Sequence, residues 1–325
     1  MRVNIRVENY GAFKYVGCAT AAEMLYEGLS QIPDIEVEIN SKDHDHDITH
    51  CHTIGPGAFM SQTRATGKTL LTVHSVPSLN SGNLALSSLI NKVYKPMYGR
   101  YDGLITLTNF SEAEIRKMLP DSKLYRMTNC VNRDRFKPDA EKRAQFRAQY
   151  NIPDDRKVIL QVAQQTPRKG IYDFIDIARK LPDYTFVWVG GFAYGVFSSE
   201  KKEVERRIAS ASPNVIFTGF VDDISAVYAA ADVFLFPSFK EIMPMSILEA
   251  LSSGLPVVSR EWYEYPSLYP GIAAYFKNID EAIPLLNDDE LLRKAAAHAR
   301  DSVEPNDIHV VAANHRKLYE SILET

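Results

Sequence analysis

The sequence has few cysteines and lacks the long apolar runs that mark secreted or membrane-spanning proteins. Its three cysteines, Cys18, Cys51 and Cys130, are widely spaced and match no zinc or redox spacing, so we expect a reducing, cytoplasmic setting. No apolar run approaches the roughly 18 residues of a membrane-spanning helix. The first residues, MRVNIRVEN, lack the apolar core of a secretory signal. A net charge of −4 gives no support for nucleic-acid binding.

The length and composition indicate a two-domain globular protein. The chain has 325 residues, of which 45% are hydrophobic and 24% charged. Domains usually contain about 100–200 residues, so two are expected. We find no internal repeat and no low-complexity tract.

Short apolar strands alternate with helical stretches along the chain. Parallel sheets with helices on both faces give this pattern. It occurs twice, on either side of the polar stretch 133–155, which predicts an α/β protein with two doubly wound domains. Ligands in such domains bind at the carboxyl ends of the strands. In the first series the predicted helix over 111–118 has Ser111 as its N-cap.

The most specific passage is PSFKEIMPMSILEALSSGLPVVS, residues 237–259. Pro244 suits the first position of a helix that ends near Leu251, with Gly254 as a stop signal. The free backbone N–H groups of Met245 and Ser246 would then form a phosphate site at the helix N-terminus.

Two acids flank that N-terminus. Glu241 lies just outside the predicted helix, and Glu249 lies about 1.5 turns inside it, on the order of 8 Å further along. Carboxylates this far apart can hold different hydroxyl groups of one extended ligand.

The spacing Glu-x7-Glu, followed by Ala-Leu and Gly-Leu-Pro-Val-Val, resembles family 4 of the retaining glycosyltransferases, which have the GT-B fold. The resemblance implies two Rossmann-like domains that face each other across a cleft. It places an acceptor domain at about 1–140, a nucleotide-sugar domain at about 150–302, and a C-terminal helix within 303–325 that packs back on the first domain.

The resemblance also implies roles for individual residues. Glu249 would bind the ribose hydroxyls, and Glu241 would hold the donor hexose near its reacting carbon. Amides around Met243 and Met245 would contact the sugar and the phosphate. His74, which ends the strand TLLTVHS, would lie against the donor sugar. Gly17, before a predicted helix, would let a diphosphate approach the backbone.

Lys169 matches the cation that neutralises the departing diphosphate in the family. Many members have Gly-Arg where this chain has Ala163 and Gln164, so one phosphate-binding cation is missing, and Arg168 is a candidate to replace it. By the same resemblance, Gly219 to Val221 lie beside the nucleobase, and Gly190 and Gly191 form another nucleotide-side loop.

The stretch DHDHDITHCH, residues 43–52, suggests a metal site at first sight. The family explains it more simply, because Asp-Ile-x-His-x-His is similar to its usual third strand. Alternation along that strand would turn His50 and His52 to one face. We expect neither a metal nor another cofactor, and we count the UDP-sugar as a substrate.

Within the family, the runs 168–190 and 52–59 look like those of bacterial diacylglycerol glucosyl- and galactosyltransferases, which act at the inner face of the membrane. The stretch Leu84–Arg100 mixes apolar residues with Lys92, Lys95 and Arg100, so it could lie on an anionic membrane as a peripheral contact. We expect Pro96 to kink or end its helix.

These features predict a metal-independent transfer of glucose or galactose from a UDP-sugar, with retention, to a diacylglycerol-type lipid. The same chemistry on a soluble or polyprenyl-linked glycan is an alternative. A non-catalytic nucleotide-sugar-binding protein and a sugar-nucleotide epimerase are weaker alternatives.

Overall fold

A computed structural model describes residues 1–80, 87–192 and 200–325 of the chain. By contact density these residues divide into two compact units. The first comprises Met1–Val131, Ile242–Met245 and Pro305–Thr325, and the second comprises Asn132–Glu241 and Ser246–Glu304.

The first unit is built on a parallel sheet of six strands. In chain order these are β1 (Arg2–Arg6), β2 (Glu36–Ile39), β3 (Ile48–Cys51), β4 (Lys68–Thr72), β5 (Gly103–Thr106) and β6 (Leu124–Arg126). Their order across the sheet is β2-β1-β3-β4-β5-β6, and every pair is parallel. The direction of winding therefore changes at β1.

Helices connect these strands because parallel neighbours require crossovers. They are α1 (Gly17–Leu29), α2 (Pro56–Arg64), α3 (Pro77–Asn80), α4 (Ser87–Tyr98) and α5 (Asn109–Met118). The C-terminal helix of the chain, Ile308–Leu323, packs against α1 within this unit.

The second unit contains a second parallel sheet of six strands. They are β7 (Val158–Val162), β8 (Thr185–Val189), β9 (Val215–Gly219), β10 (Val233–Phe236), β11 (Val257–Arg260) and β12 (Ile272–Phe276). The order is β12-β11-β10-β7-β8-β9, again all parallel. This is the doubly wound order, with its switch point between β7 and β10.

The remaining helices follow in chain order. They are α6 (Ala140–Gln149), α7 (Ile171–Lys180), α8 (Lys201–Ala209), α9 (Ile224–Ala230), α10 (Met245–Ser252), α11 (Tyr265–Leu268), α12 (Ile279–Asn287), α13 (Asp289–Ala299) and α14 (Ile308–Leu323). The core under α7 and α12 is apolar and contains Trp188 and three phenylalanines, Phe174, Phe186 and Phe276. Two six-stranded parallel sheets confirm the predicted α/β, GT-B-type fold class.

Two local predictions from the sequence were wrong. Ser111 is not the N-cap of α5: Thr108 is, because its hydroxyl accepts from the Ser111 N–H while the Ser111 hydroxyl bonds back to Thr108. Pro244 precedes α10, which begins at Met245. Pro96 was predicted to kink or end its helix: α4 continues to Tyr98, so the helix does not end there, and the kink stays a prediction.

Two further segments need comment. The polar stretch predicted as a separator contains α6, whose Arg147 is buried and pairs with Asp232 at 2.8 Å. Residues 84–86 of the predicted basic helix lie outside the described residues.

Candidate functional site

Three charged side chains form a compact cluster in the second unit. Lys169 Nζ lies 2.6 Å and Arg168 Nη1 2.7 Å from the same carboxylate oxygen, Oε1, of Glu241. The carboxylate is buried, with 8% of the residue exposed. Two cations against one acid leave a net positive charge, so the cluster favours a further anion.

The backbone explains how these residues meet. Lys169 ends a 3-10 turn, Pro167–Lys169, and Gly170 follows with φ = 77°. A Cβ at Gly170 would lie 2.3 Å from the carbonyl oxygen of Pro237, so only glycine allows this approach of the two loops. The Phe239 N–H then donates to the Arg168 carbonyl at 3.0 Å.

The cluster lies at the switch point of the second sheet. Arg168 and Lys169 follow β7, Glu241 follows β10, and these two strands are neighbours. Doubly wound sheets bind their ligands at this position, outside the carboxyl ends of the strands.

The charges in the cluster shift one another's pKa. Burial raises the pKa of Glu241, but the positive charges of Arg168 and Lys169 outweigh it, and the pKa lies below its ordinary value. Burial lowers the pKa of Lys169, and Arg168 adds to this effect against the opposing attraction of Glu241. Glu241 is therefore ionised at neutral pH.

A buried arginine that the sequence analysis missed supports the same loop. Arg260, at the end of β11, donates from Nε to the Pro237 carbonyl at 3.0 Å and forms an ion pair with Asp173 of α7. Its guanidinium lies 4.1 Å from the centre of the Phe239 ring. A charged residue at the end of the apolar run PVVS was the available signal.

Glu249 is held separately, inside α10. It is 4% exposed, and the Tyr228 hydroxyl of α9 donates to its Oε2 at 2.6 Å. Burial raises the pKa of Glu249, against the lowering effects of Tyr228 and Arg135. Among the described residues, Oε1 has no hydrogen-bond partner, which leaves this oxygen for a ligand. The sequence analysis also missed Tyr228, because a tyrosine within an apolar helix is expected to belong to the hydrophobic core.

The start of α10 follows the charged cluster along the chain. Met245 and Ser246 are the first two residues of the helix, where N–H groups have no acceptor within the helix. The residues just before it belong to the first unit, where the Asn129 side chain donates to the Met243 carbonyl at 2.8 Å. Asn129 was not predicted, and it fixes the backbone that leads into α10.

The predicted nucleotide-side residues occupy adjacent strand ends of the second unit. The Gly190 N–H donates to the Gly219 carbonyl at 2.8 Å, and Gly191 accepts from Gln165 at 3.1 Å. Gly190 has φ = 121°, and a Cβ there would lie 2.2 Å from the carbonyl oxygen of Ala163. Gln164 and Val221 are partly exposed at the same carboxyl edge.

In the first unit, Gly17 is the first residue of α1. It is exposed, and a Cβ built on it would meet nothing within 4 Å. The N-cap residue, Val16, offers no side-chain cap to the helix. Neither packing nor backbone conformation requires glycine here, and the predicted approach of a diphosphate to Gly17 stays a prediction.

The N-terminus of α2 differs, because a side chain already occupies it. The Glu8 carboxylate accepts from the Ala58 N–H at 2.9 Å and from the Thr53 hydroxyl. A Cβ at Gly55 would lie 2.6 Å from the Glu8 carboxyl carbon. An external anion is therefore not expected at this helix.

His74 follows β4 and is bonded to a second histidine. Its Nε2 lies 3.0 Å from Nδ1 of His52, and the two rings are 5.2 Å apart. Burial lowers the pKa of His74 to about 4, so the ring is neutral at neutral pH. His50 and His52 lie on one face of β3, with ring centres 4.5 Å apart.

The histidines do not form a metal centre. His50 is bonded to the Tyr319 hydroxyl and to Thr72 Oγ1, each at 2.7 Å. In residues 1–80, 87–192 and 200–325, no group of three or more His, Cys, Asp or Glu side chains is arranged to hold a metal ion.

The predicted membrane-facing cations Lys92, Lys95 and Arg100 are exposed. Arg100 lies 4.9 Å from the centre of the Phe59 ring of α2 and donates to Gln62 at 3.0 Å. Exposed apolar side chains accompany them, including Phe59, Met60 and Val93. Across the part of the chain that the structure describes, no helix is long and apolar enough to span a bilayer.

Comparison with known proteins places the charged cluster in a recognised domain. Residues 142–268 match the family model described as "Glycosyl transferases group 1". This range includes Arg168, Lys169, Glu241 and Glu249.

Two curated relatives have names that refer to diacylglycerol lipids. The chain is 31% identical over 235 residues to the alpha-galactosylglucosyldiacylglycerol synthase of Streptococcus pneumoniae, covering 69% of this chain and 63% of the relative. It is 32% identical over 168 residues to the processive diacylglycerol alpha-glucosyltransferase of Acholeplasma laidlawii, covering 51% and 50%. The matches thus span about half to under two thirds of these relatives' lengths.

Solved structures share the fold across the whole chain. The sucrose-phosphate synthase of Thermosynechococcus elongatus superposes with a TM-score of 0.81 at 16% identity, covering 99% of both chains. HepE of Anabaena, solved in complex with UDP-glucose, superposes with a TM-score of 0.77 at 17% identity, covering 99% of this chain and 100% of that one. At these identities the likeness establishes the fold.

Proposed function

We propose that this chain, whose residues 142–268 match the model of the group 1 glycosyl transferases, transfers a hexose from a UDP-sugar to an acceptor hydroxyl with retention at the anomeric carbon. The acceptor in this proposal is a diacylglycerol-type lipid. The protein acts in the cytoplasm, at the inner face of the membrane.

The ion-pair cluster of Arg168, Lys169 and Glu241 is the observation that carries the proposal. It combines a net positive charge, burial and a position at the switch point of a doubly wound sheet. A sugar diphosphate meets these three conditions, because its phosphates are anionic and its sugar presents hydroxyls to a carboxylate.

The rest of the donor is held by groups at the same sheet edge. Glu249 binds the ribose hydroxyls through the oxygen that Tyr228 leaves open, and the first N–H groups of α10 bind the phosphates. UDP is the proposed carrier because HepE, which shares the fold, was solved with UDP-glucose. Gly17 and His74 stay predicted donor contacts.

The chemistry follows from charge development on the leaving group. When the bond from the anomeric carbon to the β-phosphate breaks, negative charge grows on the phosphate, and Lys169, Arg168 and the helix N–H groups stabilise it. The acceptor hydroxyl attacks on the leaving-group side and passes its proton to a departing phosphate oxygen. Since Lys169, Arg168 and the helix N–H groups already stabilise this negative charge, we propose no metal cofactor.

Two observations favour a lipid acceptor over a soluble one. Both diacylglycerol enzymes named above are relatives of this chain. In addition, α4 exposes Val93 with Lys92 and Lys95, and α2 exposes Met60 and Phe59, whose ring lies 4.9 Å from the Arg100 guanidinium. Exposed apolar residues and cations together suit an anionic bilayer. A soluble or polyprenyl-linked glycan acceptor is the second candidate.

A donor-by-acceptor panel with mass detection tests the function. UDP-glucose and UDP-galactose are each offered with diacylglycerol vesicles, monoglycosyl-diacylglycerol vesicles, a polyprenyl-linked glycan and a soluble glycan. We expect hexosyl-lipid products from the first two acceptors. Products only on the last two acceptors would transfer the assignment to the second candidate, and no product from any pair would overturn it.

The Glu241→Gln variant distinguishes an enzyme from a protein that only binds the sugar nucleotide. Loss of the carboxylate should lower turnover by about 100-fold or more while UDP binding persists, because the two cations stay in place. A non-catalytic sugar-nucleotide-binding protein would show no transfer in the wild type either. An epimerase would instead convert the donor sugar without any acceptor.

Vesicle flotation tests the lipid surface. Lys92→Glu with Lys95→Glu should lower binding to anionic vesicles by about 30-fold, at roughly 1 kcal/mol for each cation removed. Lys117→Glu, on the exposed surface of α5 in the same unit, is the matched control. Equal flotation of the wild type and both variants would exclude this surface from membrane contact.

A further inference from the structure

His52 is a buried histidine with one ring nitrogen engaged and the other unpartnered. It is 4% exposed, its Nδ1 faces Nε2 of His74 at 3.0 Å, and its Nε2 has no hydrogen-bond partner among the described residues. His74 is partly exposed, and its Nδ1 makes no hydrogen bond within the described part of the chain. The unbonded ring nitrogen of His52, Nε2, is thus buried, whereas the unbonded nitrogen of His74, Nδ1, belongs to a partly exposed residue.

A contact between two ring nitrogens requires that one carry a hydrogen and the other a lone pair. Burial lowers the pKa of both rings, so each is neutral and carries one hydrogen. Only two arrangements satisfy these conditions. Either His52 donates and His74 bears its hydrogen on Nδ1, or His74 donates and His52 bears its hydrogen on Nε2.

The unpartnered nitrogen decides between the two. In the second arrangement, His52 Nε2 would be a buried N–H with no acceptor, and an unpaired buried donor is rarer in native structures than an unused acceptor. In the first arrangement, the same position holds only a lone pair, and the hydrogen on Nδ1 belongs to the partly exposed His74. The first arrangement is therefore favoured.

The ring of His52 is held by the residue beneath it. His50 is fully buried, and both its nitrogens are bonded, to Tyr319 of α14 and to Thr72 at the end of β4. Its centre lies 4.5 Å from that of His52. A fixed His50 therefore limits how the His52 ring can turn.

We propose that His52 is a positioning residue that fixes the hydrogen of His74 on Nδ1, so that His74 presents an N–H donor to an oxygen of the bound sugar. This inference rests on the proposed function for the contact between His74 and the sugar. In this inference His74 acts as a hydrogen-bond donor and does not act as a general base.

Nitrogen-15 NMR of the full chain with labelled histidine tests the proton position without any substrate. His74→Gln identifies the His74 signals by their loss. At pH 7 we expect His74 to carry its hydrogen on Nδ1. A hydrogen on Nε2 of His74 in the wild type would overturn the inference, whatever the variants do.

Two substitutions at His52 then test the coupling. His52→Asn keeps an N–H donor close to the position of Nδ1, whereas His52→Leu removes it. We expect the Asn variant to keep the Nδ1-hydrogen form of His74 and the Leu variant to show both forms. A His74 signal unchanged in the Leu variant would contradict the positioning role.

Turnover of the sugar donor supplies the functional measurement. We expect kcat to fall about tenfold in His52→Leu and to recover in His52→Asn, since about one hydrogen bond to the sugar is at stake. Equal losses in both folded variants would indicate a packing role and overturn the inference. If the wild type transfers no sugar, the proposed function fails while the NMR result still stands.

Discussion

At the scale of single residues, each acid of the site is partly paired, and among the described residues the pairing leaves one charge or one polar atom unmatched. Glu241 neutralises one of its two cations, and Glu249 uses one oxygen for Tyr228. The sequence indicated Glu241, Glu249 and Lys169 through their spacing. It did not indicate Tyr228 or Arg260, because their roles depend on partners that are distant in sequence.

The Gly17→Ala variant should lower UDP affinity without a large change in the free energy of unfolding. A Cβ meets nothing within 4 Å, so the free energy of unfolding should change by less than about 0.5 kcal/mol. If a diphosphate approaches this backbone, UDP affinity should fall about tenfold or more. Calorimetric titration with UDP measures this change, and unaltered affinity would exclude Gly17 from the donor site.

Tyr228→Phe should weaken nucleotide binding through Glu249. The lost hydrogen bond is to a charged group and is worth about 1.5–3 kcal/mol, so UDP affinity should fall by about 10- to 100-fold. The pKa of Glu249, already raised by burial, should rise further. UDP binding should then weaken at a higher pH on acidification than in the wild type.

The control for this variant is Tyr184→Phe, which removes a surface hydroxyl bonded to Asn287 at 2.7 Å. Equal UDP affinity in the two variants over the whole pH range would mean that Glu249 does not contact the nucleotide.

At the scale of elements, apolar periodicity predicted the central strands of both sheets. The core strands β8 and β10 are almost entirely apolar, which is the signal on which the prediction of alternating strands and helices rests. The edge strand β2 gives a weaker signal, because EVEI carries charges at alternate positions. The edge strand of the second sheet, β12, is only partly buried. Edge strands bury less apolar surface, so their pattern is weaker.

Gly28→Ala should destabilise the packing of α14 on α1. A Cβ at Gly28 would lie 2.8 Å from the Ile308 carbonyl oxygen and 3.0 Å from the Ala312 Cβ. The two helices would have to move apart, at a cost of about 1–3 kcal/mol. Chemical denaturation measures the loss, and stability equal to that of Gly17→Ala would contradict the close approach.

Four histidines in or next to β3, β4 and α14 should make stability depend on pH. Burial lowers the pKa of His74 and His315 to about 4, and it lowers the pKa of His50 and His52 well below 6.5. Between pH 6.5 and 4, the unfolded chain therefore binds more protons than the folded one, and stability is lost as the pH falls. Each such histidine contributes up to about 1.4 kcal/mol per pH unit.

Denaturation at pH 7, 6 and 5 measures this slope. His315→Gln removes one of the four groups and should make the slope shallower. An unchanged slope in that variant would show that His315 is not held neutral by its surroundings.

At the scale of the whole molecule, each of the two units has its own doubly wound sheet and its own switch point, at β1 in the first and between β7 and β10 in the second. At the first switch point, the side chain of Glu8 occupies the N-terminus of α2. At the second, a positive cluster precedes the start of α10. This difference is why the diphosphate is assigned to the second unit.

A crystal structure of the chain with UDP tests that assignment most directly. We predict that the diphosphate lies against Arg168, Lys169 and the first N–H groups of α10, and that Glu249 Oε1 accepts from a ribose hydroxyl. UDP bound at another strand end, or a ribose out of reach of Glu249, would contradict the account.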